Sequence, residues 1–192
     1  ENSDVMAVLE SYQIIWAGLQ ARLGERKEGV AIVVSSALPE EGKSSTVHNL
    51  GYTIAKNGLR VLLIDADLRR PTLAARLGIE SEYMLDQCLM RRIPRENAVV
   101  STPIPNLDLM PSERPSQRPA DLLASSALNS LLVWAKNLYD VVLVDTPPML
   151  HFADAMMIAH RADGVVLVVH GGRTAKKTAL RARETIRGMG AR

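Results

Sequence analysis

Apolar positions along this 192-residue chain alternate between two spacings. In the first segment Val5, Val8, Leu9, Tyr12, Ile15, Trp16 and Leu19 recur at i, i+3, i+4 and i+7, which predicts an amphipathic helix. Apolar residues then become nearly continuous over short, β-branched runs. These are Val30 to Val34, Val61 to Ile64, Val141 to Val144 and Gly164 to Val169, and they predict strands buried on both faces. Helical spacing returns between them. Val47, Leu50, Gly51 and Ile54 mark one helix face that ends at Asn57-Gly58, where glycine accepts a left-handed cap. Shorter signals predict a helix around Met84 to Leu89, a strand over Leu107–Met110, a helix opened by Pro119, one over Ala127–Asn137, and a last one over Thr174–Arg187. Buried strands alternating with amphipathic helices predict an α/β fold: one doubly wound domain with a mainly parallel sheet. Residues 1–28 read as a helix and linker and residues 29–192 as the domain. The chain ends where an αβ unit would enter one more strand, so truncation or disorder is expected there.

Polar residues then interrupt this pattern at informative places. Between the first strand and its helix lies Gly42-Lys43-Ser44, the end of a phosphate-binding loop. Backbone N–H groups at a helix N-terminus face an anion, lysine adds a mobile cation for β/γ phosphates, and a serine hydroxyl completes a magnesium shell. The loop is irregular, with Ala37 at its first glycine position and Glu40 where many such loops carry a further glycine. Glu40 and Glu41 place two negative charges beside a site for polyphosphate, and Glu40 is expected to need a backbone angle that glycine adopts more easily. Two strands end on carboxylates, Asp65 and Asp145, and Asp67 follows the first. In a parallel sheet ligands sit beyond the carboxyl ends of the strands, so these residues converge on one edge. Carboxylates there suit magnesium, directly or through water, and a base for an attacking hydroxyl.

Composition narrows the classes. Hydrophobic residues make up 47% of the chain, which sets it apart from disordered sequences. With 23 basic and 21 acidic residues, the net charge of +2 argues against a general nucleic-acid binder. The single cysteine, Cys88, sits in an apolar helical pattern and reads as a core thiol in a reducing compartment. No apolar run approaches the ~18 residues that span a bilayer. The chain opens at Glu1 without methionine, as expected of an excised domain or processed product. Five of the 10 prolines fall between Pro103 and Pro119, which predicts a surface loop. The four histidines show no metal-ligand spacing, and the basic face of the last helix reads as solvated.

The segments SSALPEEGKSST, VLLIDADLRRP (61–71), the PADLL stretch after the proline-rich loop, and YDVVLVDTPP (139–148) together resemble the cytoplasmic domain of bacterial tyrosine kinases. These are deviant Walker P-loop proteins that accompany capsule and exopolysaccharide co-polymerases. The resemblance covers nearly the whole chain. It implies a P-loop NTPase fold and an ATP- and Mg2+-dependent autokinase that regulates polysaccharide polymerisation and export at the cytoplasmic face of the bacterial inner membrane. By the same resemblance, Glu41, Gly42, Lys43, Ser44, Ser45 and Arg69 would hold the nucleotide. Ser44, Asp65 and Asp145 would serve magnesium. Lys43, Asp65 and Asp67 would be catalytic, one aspartate nearer the metal and one activating the tyrosine hydroxyl. Arg69 and Arg70 would neutralise phosphate or face a neighbouring subunit.

Several positions depart from the family pattern. Its loop usually reads Pro-Gly-Glu-Gly-Lys-Ser, and Glu40 replaces the first glycine. Its first helix often carries Glu-x-x-Arg-x-x-Arg for ring assembly, and here Gln13 and Trp16 follow Glu10 in place of the arginines. Self-association remains possible, with the ring motif altered, and the resemblance also implies a membrane co-polymerase segment or activator as partner. The four tyrosines are scattered instead of forming a C-terminal cluster, and the strand bearing the adenine-reading asparagine would fall beyond Arg192. An alternative is a degenerate nucleotide-binding assembly module of the same machinery. A partitioning ATPase of this superfamily is disfavoured, because its signature lysine position is Leu38.

Overall fold

The computed structural model describes residues 2–24, 26–188 and 190, with side chains from Met6 onward. Six strands form one sheet: β1 (Val30–Ser36), β2 (Val61–Asp65), β3 (Val100–Ser101), β4 (Leu107–Met110), β5 (Val141–Asp145) and β6 (Gly164–Val168). Their spatial order is β3-β4-β2-β5-β1-β6, parallel throughout except for β3, which pairs antiparallel with β4. The four runs read as buried strands are thus consecutive neighbours in one sheet. Among the described residues eight helices accompany them: α1 (Asn2–Leu23), α2 (Lys43–Lys56), α3 (Leu73–Leu77), α4 (Leu85–Leu89), α5 (Pro119–Ala124), α6 (Ser126–Leu138), α7 (Asp154–Ala159) and α8 (Lys176–Gly188).

Both sheet faces are covered, which is why the strands lack a polar side. Ala31, Val33, Leu62, Ile64, Val142 and Val144 pack with Leu128, Leu131 and Leu132 of α6 on one face. Val30, Ile32, Val34, Leu63 and Leu143 pack with Val47, Leu50 and Ile54 of α2 on the other. Successive strand residues alternate between these layers, as the pleat requires. Helix α2 lies close to the sheet at Gly51, where an added Cβ would come within 2.7 Å of Leu63 Cδ2. That approach sets the N-terminus of α2 over the carboxyl ends of β1 and β5. Cys88 is buried among apolar neighbours, and burial pushes its thiol pKa up.

The first helix forms, but its contact stripe differs from the expected one. Tyr12, Trp16, Leu19 and Leu23 pack on the α2 side of the sheet, whereas Val8 and Ile15 are exposed. The apolar arc in the sequence is wider than the strip the domain covers. Among the residues named for that arc, the Val5 side chain lies outside the described residues. So do Met189, Ala191 and Arg192 of the expected C-terminal break. Helices α3 and α7, a 3-10 turn over Arg95–Ala98, and strand β3 arise where no sequence periodicity announces them.

Candidate functional site

The phosphate loop follows β1 and ends on Gly42, whose φ of 93° places it in the left-handed region as the N-cap of α2. No side chain caps this helix start. Its orphan N–H groups are therefore left for an anion. Lys43 is the first residue of α2 and is buried, and together with Ser44 it lines a cleft of about 730 Å3. Ser45 is engaged elsewhere, its Oγ accepting from Arg76 Nη1 at 3.1 Å. Opposite the loop, Met149 is buried and donates its N–H to Ser36 O at 2.9 Å, which ties the segment after β5 to the end of β1.

The two loop glutamates behave differently. Glu40 takes φ 61°, the left-handed conformation expected of it, and its largely exposed carboxylate lies 3.5 Å from Arg173. Glu41 turns inward. Its Oε2 accepts from Leu38 N–H at 2.7 Å, while Oε1 accepts from the Thr174 hydroxyl and from His170 N–H at 3.4 Å. The expectation that both charges oppose a polyphosphate is corrected for Glu41. Its carboxylate fastens the loop to the segment between β6 and α8, and only its main-chain N–H remains for a nucleotide.

Three carboxylates meet at the strand ends. Asp65 and Asp145 are register partners on β2 and β5, both fully buried. Asp65 Oδ2 accepts from Thr72 and Leu73 N–H at 2.9 Å each, capping the start of α3 from a distant strand. Asp65 Oδ1 and both oxygens of Asp145 have no hydrogen-bond partner. Burial, with the Asp145 charge added, pushes the Asp65 pKa well above the usual carboxylate range. Burial raises Asp145 to about 6, and the nearby Ser44 hydroxyl and Lys43 ammonium only partly offset it. Asp67 lines the cleft, accepts Arg70 N–H at 3.0 Å through Oδ1, and is shifted upward by burial despite Lys43.

Orphaned buried carboxylate oxygens are costly unless a cation completes them. The donor set fits Mg2+: hard oxygens from Asp65 and Asp145 beside the Ser44 hydroxyl. Among the described residues no three acidic, histidine or cysteine side chains form a metal-binding group.

Arg69 lines the cleft and is also held in an ion pair. Its Nε and Nη2 bond Asp154 at 2.7 and 3.1 Å, and Asp154 is buried in the first turn of α7. Its guanidinium also lies 4.2 Å from the Phe152 ring centroid. Arg69 borders the cleft with its charge already matched, while Arg70 and Arg76 line the same cleft. Asp154, Phe152, Arg76, Arg173 and Thr174 were not legible as site residues, because each is joined to the loop or strand ends only by the folded chain.

The Glu40 geometry carries a stability prediction. A non-glycine residue in the left-handed region costs about 1–2 kcal/mol. Glycine there gives back about 0.4–1 kcal/mol through the freer unfolded chain. Glu40→Gly is therefore expected to stabilise the protein by about 1 kcal/mol, seen as a higher denaturant midpoint with unchanged m-value. Because this strain is present before any ligand arrives, it should show in unfolding more than in nucleotide affinity. An unchanged or lower midpoint would mean the Glu40–Arg173 pair offsets it.

A family model described as an AAA domain matches residues 31–189. The chain is similar to the tyrosine-protein kinase YwqD of Bacillus subtilis (strain 168), with 37% identity covering 92% of this chain and 74% of that protein. Among solved structures, the kinase domain of Escherichia coli tyrosine kinase ETK superposes with a TM-score of 0.90 and 26% identity, covering 95% of this chain and 71% of that one. The septum site-determining protein MinD of Pyrococcus horikoshii, complexed with Mg-ADP, reaches a TM-score of 0.75 at 21% identity, over 85% and 67%. That last likeness concerns the fold alone.

Proposed function

Since this chain belongs to the bacterial tyrosine-protein kinases, within the AAA domain family, we propose that it transfers the γ-phosphoryl group of ATP to tyrosine hydroxyls. On this reading it is an autokinase domain that regulates capsule or exopolysaccharide polymerisation and export. The observation that carries the reading is the set of orphaned oxygens on Asp65 and Asp145, in register at the strand ends beside Lys43 and Ser44. Capping of α3 accounts for Asp65 Oδ2 but not for the unpaired Asp65 Oδ1 or for either oxygen of Asp145.

The roles follow from what each side chain touches. Main-chain N–H groups from Glu41 to Ser45 cradle phosphate oxygens, and Lys43 neutralises charge that develops on the β and γ groups. Asp65, Asp145 and Ser44 would hold Mg2+, which would supply positive charge to draw on the phosphates. Asp65 is fully buried as the register partner of Asp145, so we assign it, of the pair, to the metal side. Asp67, at the cleft, is the base. It accepts the phenolic proton as the tyrosine oxygen bonds to the γ-phosphorus, and ADP departs with the electrons of the cleaved P–O bond.

No helix among the described residues is long and apolar enough to cross a membrane. We place the domain at the cytoplasmic face of the inner membrane, beside a membrane co-polymerase segment or activator. Gln13 is exposed and Trp16 buried in the domain, so neither offers the cation that a family-type ring contact uses.

The test is incubation with Mg2+-ATP and a synthetic tyrosine peptide, read by mass spectrometry. Phosphotyrosine formation that is lost on omitting Mg2+ is expected. Tight Mg2+-ATP binding without phosphotyrosine would favour the degenerate module, the reading that Glu40 suggests from sequence.

A further inference from the structure

The cleft beside the phosphate loop has an aromatic wall that phosphate chemistry does not use. Phe152 is the only phenylalanine in the chain, an apolar ring of the kind normally packed in a core. Here it is half-buried and lines the cleft with Lys43, Ser44 and Asp67.

Its position is fixed from three sides. The buried Met149 anchors the segment to the end of β1, and Phe152 N–H donates to Pro148 O at 3.1 Å. The Arg69 guanidinium lies 4.2 Å from the ring centroid and is itself held by the two hydrogen bonds it donates to Asp154, a buried carboxylate. With its charge matched by Asp154, Arg69 serves as a plane against the ring more than as a free phosphate ligand. A buried carboxylate, a clamped guanidinium and a phenyl ring form one layered support.

The support lines the same cleft as Lys43 and Asp67, which on the kinase reading would be the γ end of the nucleotide site. The loop lysine reaches the β and γ phosphates, and Asp67 lies within electrostatic reach of both Lys43 and Asp154. An acceptor hydroxyl must approach Asp67 on that side. Resting on the kinase reading above, we propose that Phe152, braced by Arg69 and Asp154, is the platform on which the acceptor tyrosine ring stacks. It thereby sets the preference for tyrosine over serine and threonine, whose side chains have no face to stack.

Aromatic pairs are favoured in offset or edge-to-face geometry, and a ring polarised by a cation on one face still offers the other. Losing the platform should therefore raise the KM for peptide and leave phosphate handling intact. The experiment is steady-state kinetics of wild type, Phe152→Ala, Phe152→Leu and Phe152→Trp with Mg2+-ATP and matched tyrosine and serine peptides. Thermal unfolding of each variant confirms that it is folded. Phe152→Ala is expected to raise the peptide KM about tenfold, as loss of one stacked aromatic contact of about 1.4 kcal/mol would. The KM for ATP and kcat should stay within about twofold. Phe152→Leu, which keeps bulk without a π face, should fall between, and Phe152→Trp should restore the wild-type value.

An unchanged peptide KM in Phe152→Ala, with wild type active, overturns the platform alone. A raised KM for ATP with the peptide KM unchanged assigns the ring to the nucleobase and overturns it too. Wild-type protein that binds Mg2+-ATP but labels no tyrosine overturns the kinase reading and this inference together.

Discussion

Asp145→Asn is expected to make the nucleotide-free protein more stable at pH 7 and to abolish its stabilisation by Mg2+-ATP. Asp145 is fully buried, both oxygens lack partners, and its folded pKa of about 6 lies above an ordinary 3.8. A rise of about two units corresponds to on the order of 3 kcal/mol acting against the ionised folded state. The sign is set by which state binds more protons. As pH rises from about 4 to 6 the unfolded chain releases this proton first, so the group's stabilising contribution is full below about pH 4 and gone above about pH 6. Asparagine does not ionise and escapes that loss. Its buried amide still needs partners, so the net gain should be about 1–2 kcal/mol, or about 2–8 °C in Tm for a chain of this size. Mg2+-ATP at 100 times its Kd should add about 2.7 kcal/mol to wild type and little to the variant. The two Tm values should then cross: the variant leads without ligand and wild type leads with it. Differential scanning fluorimetry from pH 4 to 8 reads both effects. A variant that is less stable at every pH would mean Asp145 is a structural residue whose lost oxygen matters more than its charge.

Such a residue was visible in the sequence because its signal is local. An apolar run that stops on aspartate already fixes a strand and the edge on which it ends. The run 141–145 therefore located Asp145, and 61–65 located Asp65, before any tertiary information. The pairs that complete the site are remote in sequence. Glu41 finds Thr174 and His170, and Arg69 finds Asp154 85 residues away. Neither bond leaves a trace in spacing. Helix α3 was missed for a related reason: its start is capped by Asp65 on β2, not by a residue beside it in sequence. Family resemblance named the phosphate loop correctly but could not say which way its glutamates point. Glu40 and Glu41 look alike in sequence, yet one is largely solvent-exposed and the other is buried against a different loop. Trp16 illustrates the reverse case. As a replacement for a family arginine it suggested altered assembly, whereas in the fold it is a core residue joining α1 to the domain.

The assignment of the two catalytic carboxylates yields the other large effect. Asp67→Asn is expected to lower kcat for tyrosine phosphorylation by about 10²–10⁴, the range for losing a positioned general base, while Mg2+-ATP affinity stays within a few-fold. The substitution is conservative by geometry, since asparagine keeps an oxygen to accept Arg70 N–H, as Asp67 Oδ1 does at 3.0 Å. What it removes is the ability to take a proton. Burial already raises the Asp67 pKa from its ordinary value, which strengthens it as a proton acceptor. The wild-type pH–rate profile should therefore fall on the acid side as Asp67 protonates, and that limb should disappear from the residual activity of the variant. Asp65→Asn is the contrasting case. Asp65 caps α3 and carries an orphaned oxygen toward the metal side, so its loss should weaken Mg2+-dependent nucleotide binding and stability together. Calorimetric titration with Mg2+-ATP beside single-turnover phosphorylation separates the two. If Asp67→Asn lost nucleotide affinity in proportion to activity, Asp67 would belong with the metal; if its rate were unchanged, proton transfer would have to run through another group.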